Sequence, residues 1–182
     1  STTPEDPTLG FFAAVGKAAR HYGQTLEQFL GEVEQIVHGT TLGTNILITG
    51  RGAKVGTITT KGFRDIVEMR RGIRNLHGSM FDMFIEPYQP LVPRRLSLGV
   101  EERTLYTGEI LTPLNEAELR AAARKLLDEG CTAIAICFLH SYANGKNELQ
   151  AKRIVQAMSP DTYVTASHEI LPVFREFERF ST

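Results

Sequence analysis

The chain has 182 residues, 42% of them hydrophobic and 23% charged, with 20 basic side chains against 21 acidic ones. That length and balance suit one globular domain with a sizeable core. They give neither the basic footprint of a nucleic-acid binder nor the apolar run of about 18 residues that a membrane helix needs. The polar opening, Ser1 to Pro7, lacks the layout of a secretion signal, so a cytoplasmic setting is expected.

In chain order, apolar residues at Leu9, Phe12, Val15 and Ala19 predict an amphipathic helix over about 7–22, with Asp6 as cap and Pro7 in its first turn. A second short helix begins after Thr25. The run Gln35-Ile36-Val37-His38 reads as a strand, and 41–49 as a helix stopped by Gly50-Arg51-Gly52. Residues 54–60 are β-rich and lead through Gly62 into a short helix near 63–69. Strand, helix, strand, helix with short connections is the pattern of parallel βαβ units.

Regular periodicity is lost over about 70–95, where glycines, prolines and Phe81, Phe84 and Tyr88 are scattered; a stretch of that kind is usually functional or interface-bound. Residues 96–111 alternate well enough for two strands around Thr107-Gly108. We therefore expect an antiparallel hairpin, with 70–112 as an insertion in a parallel pattern. Asn115 and Glu118 offer a capping box for a helix ending at Gly130. A strand at 133–138, apolar on both faces, a helix at 148–158, a strand at 163–165 and a helical terminal stretch complete the reading. Cys131 and Cys137 sit six residues apart along extended chain, about 20 Å, too far for a disulfide. They read as small buried hydrophobes in a reducing compartment.

Chemistry is expected first at His38-Gly39-Thr40-Thr41-Leu42-Gly43-Thr44-Asn45, where a strand gives way to a helix. Unpaired N–H groups at a helix start receive anions or polarised carbonyls. Glycine permits close approach there, and His38 is placed to move a proton. The competing reading makes Thr40 or Thr41 a plain helix cap and His38 a packed strand residue. Lys61 and Arg64, in the turn after the 54–60 strand, face an acidic group or are simply solvated. The cluster Arg70-Arg71-Gly72-Ile73-Arg74 offers forks for carboxylate or phosphate, and His140 follows the 133–138 strand. His168-Glu169 and Glu176-Phe177-Glu178-Arg179 fit catalysis and surface ion pairing equally. The unifying expectation is that successive parallel strands deliver these turns into one crevice.

The segments Ile36 to Thr41, Thr44-Asn45, Thr59 to Asp65, Pro90 to Arg95, Cys137 to Tyr142 and Glu176 to Arg179 resemble, in order, the N-terminal region of the hydantoinase A/5-oxoprolinase family. The resemblance implies an actin-like (ribonuclease H-like) α/β fold in partial form, with a mixed, mainly parallel sheet, helices on both faces and an inserted hairpin. It also implies ATP with Mg, a hydantoinase B-type partner subunit or domain, and a small cyclic amide (N-methylhydantoin, hydantoin or 5-oxoproline type) opened through carbonyl phosphorylation. His38 and Thr41 would then be catalytic. Gly39, Thr40, Thr44, Asn45, Lys61, Arg64, Arg71 and His140 would bind substrate. A ketone carboxylase subunit of the acetone or acetophenone type, and a non-catalytic interaction module, are the alternatives. The family's glycine- and threonine-rich phosphate turn and its large downstream domain are expected to lie outside these residues. The 182 residues alone are therefore expected to be inactive.

Overall fold

The structure is a computed structural model that describes residues 6–37, 39–72, 84 and 88–182. These fall into two compact units, Ser1–Arg51 and Gly52–Thr182.

The first unit carries three helices: α1 (Pro7–His21), α2 (Leu26–Glu32) and α3 (Leu42–Thr49). Local chemistry sets their starts. Asp6 accepts from the Thr8 N–H at 2.9 Å, and Pro7, which has no N–H to leave unpaired, stands in the first turn. Thr25 and Gln28 close a reciprocal capping box on α2. Tyr22 stacks on Phe29, ring centroids 5.9 Å apart, which ties α1 to α2. Gly50, left-handed at φ 62°, ends α3. The expected strand at 35–38 is not formed over the described residues 35–37, where Ile36 and Val37 lie exposed without a ladder. An apolar run becomes a strand only when a neighbour accepts its backbone hydrogen bonds.

The second unit is built on a four-stranded parallel sheet, with β1 (Val55–Thr60), β2 (Ser97–Val100), β5 (Ala133–Cys137) and β6 (Tyr163–Ala166) in the order β2-β1-β5-β6. Between β2 and β5 the chain forms a separate antiparallel hairpin, β3 (Arg103–Thr104) and β4 (Ile110–Thr112), turning through Gly108 at φ 87°. The hairpin around Thr107-Gly108 is therefore present. Its first arm is shorter than expected, however, because residues 97–100 form β2, a parallel partner of β1. Alternation marks a strand's faces but carries no information about its partner.

Helices cover both faces of this sheet. On one face Ile58, Val100, Ile134, Ile136 and Val164 pack against Leu119, Ala123 and Leu126 of α5 (Glu116–Asp128) and Ala151 and Val155 of α6 (Lys146–Met158). Each of these isoleucine, valine and leucine side chains taken from water contributes about 1.5–3 kcal/mol. The other face is Thr57, Thr59, Ser97 and Cys137, met by Val67 of α4 (Ile66–Met69) and Phe180 of α8 (Glu176–Ser181) around a hollow of only about 10 Å³. Both cysteines are free and buried, and burial pushes the Cys137 thiol far up. α7 (Ser167–Ile170) follows β6 directly.

Candidate functional site at the carboxyl ends of the strands

β1 and β5 are neighbours in the sheet, yet the chain leaving β1 goes to β2 on one side and the chain leaving β5 goes to β6 on the other. Their carboxyl ends diverge, the arrangement at which open α/β sheets bind ligands. A cleft of about 550 Å³ opens here, with Phe63 from the turn after β1 and Leu139 from the turn after β5 on its wall. α4 and the 174–178 segment complete it.

Behind the cleft the strand ends are knitted by buried polar groups. Thr60, the last residue of β1, accepts from the Leu139 N–H at 2.9 Å and donates to the Glu102 carboxylate, which also accepts from Asn147 Nδ2 at 2.9 Å. Glu102 is 3% exposed, and burial raises its pKa against the lowering pull of the Thr60 and Asn147 hydrogen bonds. Deeper along β5, the fully buried Glu148 carboxylate accepts from Phe138 N at 2.7 Å, Ser167 Oγ at 2.7 Å, and His168 N and Nδ1 at 3.0 and 2.6 Å. Arg179, 1% exposed, donates to Ser167 Oγ at 3.1 Å, Phe138 O at 3.0 Å and Val173 O at 2.5 Å. It thereby joins the end of β5 to the segment that walls the cleft. Every one of these polar groups is matched, as burial demands.

Of the residues nominated from sequence, Arg71 lines the cleft and pairs with Glu178. Phe63, two residues after Lys61, and Leu139, just before His140, reach the cleft, but the Lys61 and His140 side chains make other contacts. Lys61 is exposed and bound to Glu118 at 2.9 Å. His140, at φ 52°, donates from Nδ1 to Thr104 O at 2.9 Å, since a carbonyl can only accept. Arg64 lies 3.9 Å from Asp65 and lines the small hollow under the sheet. In the first unit Gly39, Thr40, Thr41, Thr44 and Asn45 are exposed at the start of α3. Thr41 N-caps that helix without a side-chain bond to its backbone, and its hydroxyl accepts instead from Asn45 Nδ2 at 3.4 Å. His38 lies outside the described residues.

Four residues escaped sequence reasoning. Glu118 does not close a capping box. It accepts from Glu101 N at 2.9 Å and from Lys61, although Asn115 does cap the helix through the Glu118 N–H at 3.1 Å. Arg179 is no surface residue, whereas Glu169 does pair at the surface with Lys152 at 2.6 Å. Glu102 and Glu148 carried no local signal at all. Among the described residues, no group of three or more His, Cys, Asp or Glu is arranged to hold a metal ion, and no helix is long and apolar enough to cross a membrane.

Residues 1–159 match the family described as the hydantoinase/oxoprolinase N-terminal region. The whole chain is 36% identical to the uncharacterised protein MJ0964 of Methanocaldococcus jannaschii, covering 25% of it, and 34% identical to the caprolactamase subunit alpha of Pseudomonas jessenii, covering 26%. The crystal structure of the ATP-dependent caprolactamase from Pseudomonas jessenii superposes with a TM-score of 0.85 over 97% of this chain and 26% of that one, at 33% identity. Nucleotide-free acetone carboxylase superposes equally, with a TM-score of 0.85 over 98% of this chain and 26% of that one, at 32% identity. The chain thus spans about a quarter of the length of these relatives.

Proposed function

The chain belongs to the hydantoinase/oxoprolinase family, and from that premise we propose that it is part of an ATP-dependent subunit that opens a cyclic amide by phosphorylating its carbonyl oxygen. The observation that carries this reading is the 34% identity to caprolactamase subunit alpha along the entire chain, since caprolactam is itself a cyclic amide. An unstrained amide is a poor electrophile with a poor leaving oxygen. When bound, ATP would supply a phosphoryl group to the carbonyl oxygen; water would then add to the activated carbon, the C–N bond would break with the ring nitrogen leaving as the amine, and a second water would release the phosphate.

The chain's own residues fit anionic oxygen at two places. The exposed Gly39 to Asn45 corner offers short hydroxyl and amide groups at a helix start, with Gly39, Thr40, Thr44 and Asn45 as binding groups in our reading. Thr41 and His38 would act on the substrate carbonyl there. On the cleft, guanidinium forks face the space beyond β1 and β5. Lys61, Arg64 and His140 would contribute field rather than contact. Mg accompanying ATP would be held through the phosphates and at most a carboxylate or two, as its preference for retained water allows. A hydantoinase B-type chain or domain would complete the hydrolytic half, and the cytoplasm would be its setting.

The test is an assay of the full-length protein with its partner subunit, ATP and Mg, offering caprolactam, hydantoin, N-methylhydantoin and 5-oxoproline. ADP formed in step with ring opening supports the proposal. In that assay His38→Ala and Thr41→Val should lower turnover, by about 10²-fold where a proton is moved. The equal superposition on acetone carboxylase favours a second reading, a ketone carboxylase subunit. Bicarbonate-dependent ADP release with acetone or acetophenone, and none with lactams, would establish that reading instead.

A further inference from the structure

The cleft beyond β1 and β5 combines an apolar wall with an imbalance of charge. Phe63, Ile66, Met69, Leu139, Phe174 and Phe177 supply the wall. Three arginines, Arg70, Arg71 and Arg175, face two carboxylates, Glu176 and Glu178. Both carboxylates already have a cationic neighbour. Glu178 pairs with Arg71, and Glu176 lies 3.9 Å from the buried Arg179. Among the described residues neither Arg70 nor Arg175 has a carboxylate within ion-pair distance. Each instead lies against an aromatic ring, Arg70 over Tyr88 at 4.4 Å and Arg175 over Phe174 at 5.4 Å. A guanidinium held against an aromatic ring keeps its charge without giving up its N–H donors to a carboxylate, so a forked contact with two oxygens stays open to it.

Arg70 also occupies this place against its own backbone preference. Its φ is 54° with ψ −133°, a conformation that suits glycine and strains any residue with a Cβ. The turn would close more easily with glycine, as it does two residues on at Gly72, φ 70°. What arginine adds at position 70 is its side chain on the cleft.

We propose that this cleft is an oxyanion subsite, with Arg70 and Arg175 as the binding forks and the apolar wall beside them for the rest of the ligand. The oxyanion is a carboxylate carried by the substrate or a phosphate of the nucleotide. The proposal rests on the family reading only for the choice of probes.

The experiment is calorimetric binding to the full-length protein of three probes: 5-oxoproline, 2-pyrrolidinone (the same lactam ring without the carboxylate) and inorganic tripolyphosphate. Wild type is compared with Arg70→Gly, which relieves the backbone and so keeps the fold, and with Arg175→Gln. A wild-type preference for 5-oxoproline over 2-pyrrolidinone that shrinks by about tenfold or more in both variants supports the subsite and identifies the carboxylate. Tripolyphosphate affinity that falls by a similar factor, with the lactam ratio unmoved, supports it and identifies the phosphate. Unchanged affinities for all three probes in Arg70→Gly overturn the proposal, whatever Arg175→Gln does. Absence of ATP-dependent ring opening would count against the proposed function alone, because binding is measured without turnover.

Discussion

The imidazole of His168 lies over Gly145 so closely that a Cβ at position 145 would overlap the ring. Gly145 N-caps α6, and the ring it admits donates from Nδ1 to Glu148, three residues further along, at 2.6 Å. Glycine is thus required here for room, not for a special backbone angle, since its φ is −83°. Gly145→Ala should destabilise the fold by about 1–3 kcal/mol through overpacking. On a His168→Ala background the same change should cost much less, a coupling that a double-mutant cycle by urea unfolding measures directly. Equal costs on both backgrounds would mean that the contact is not what selects glycine.

What could be read from sequence was local. Asp6 with Pro7, Thr25, Asn115 and Gly130 mark helix ends because caps are satisfied within three or four residues. The parallel sheet was legible from the strand and helix rhythm, and β5 from being apolar on both faces. The rest depends on partners far away in the chain. Thr60 meets Glu102 and Leu139, and Arg179 meets Phe138, across separations no window spans. Glu118 had a good local partner at Asn115 and was taken by Lys61 and Glu101 instead. Gln35 to Val37 had strand composition but pair with no strand among the described residues. At the candidate site, Arg71 was visible as part of a basic cluster, while the strain at Arg70 exists only in the backbone.

Glu102 makes the pH dependence of stability testable. Burial raises its folded pKa above the ordinary 4.5, so between those values the folded state holds a proton that the unfolded chain has lost. Stability from this group is therefore fully present below about the ordinary value and declines as pH rises through the folded pKa. Glu102→Gln, which can still bond Thr60 and Asn147, should remove that decline. The wild-type minus variant difference in thermal midpoint should fall with rising pH above 4.5. Asp65 and Glu169 act in the opposite sense, since Arg94 and Lys152 lower their pKa values and their contribution is lost as pH falls. The difference between the two proteins cancels them. A flat difference curve would contradict the assignment.

The approach of α5 to β1 is set by Gly56, where an added Cβ would stand 2.8 Å from both δ-carbons of Leu126. Leu126 is fully buried, with little room to rotate away. Gly56→Ala should therefore lower stability by about 1–3 kcal/mol. Leu126→Ala alone should cost about 2–5 kcal/mol for the cavity. Together the two should cost less than their sum, because the new methyl occupies part of the space vacated. Strict additivity in guanidinium unfolding would show that the helix shifts instead of clashing.

Burial decides which ion pair matters. Asp65 and Arg94 have the better geometry, a two-pronged contact at 2.7 and 3.1 Å, but their side chains are 36% and 54% exposed. Water already solvates both charges, so Asp65→Asn should cost about 1 kcal/mol or less, and that cost should shrink as salt is added. Glu148 is fully buried and accepts four hydrogen bonds that hold the ends of β5 and β6 together. Glu148→Ala strands those donors and removes one of the two carboxylates whose field steadies the buried Arg179 charge, Glu176 being the other, at a cost of about 3–5 kcal/mol that salt should not relieve. Glu148→Gln keeps the shape and one acceptor oxygen, and should fall between. Because Arg179 carries the cleft wall through Val173 O, the Gln variant should also weaken ligand binding at the cleft while remaining folded, whereas Asp65→Asn should not. Comparable losses for Asp65→Asn and Glu148→Ala at high salt would overturn this ordering.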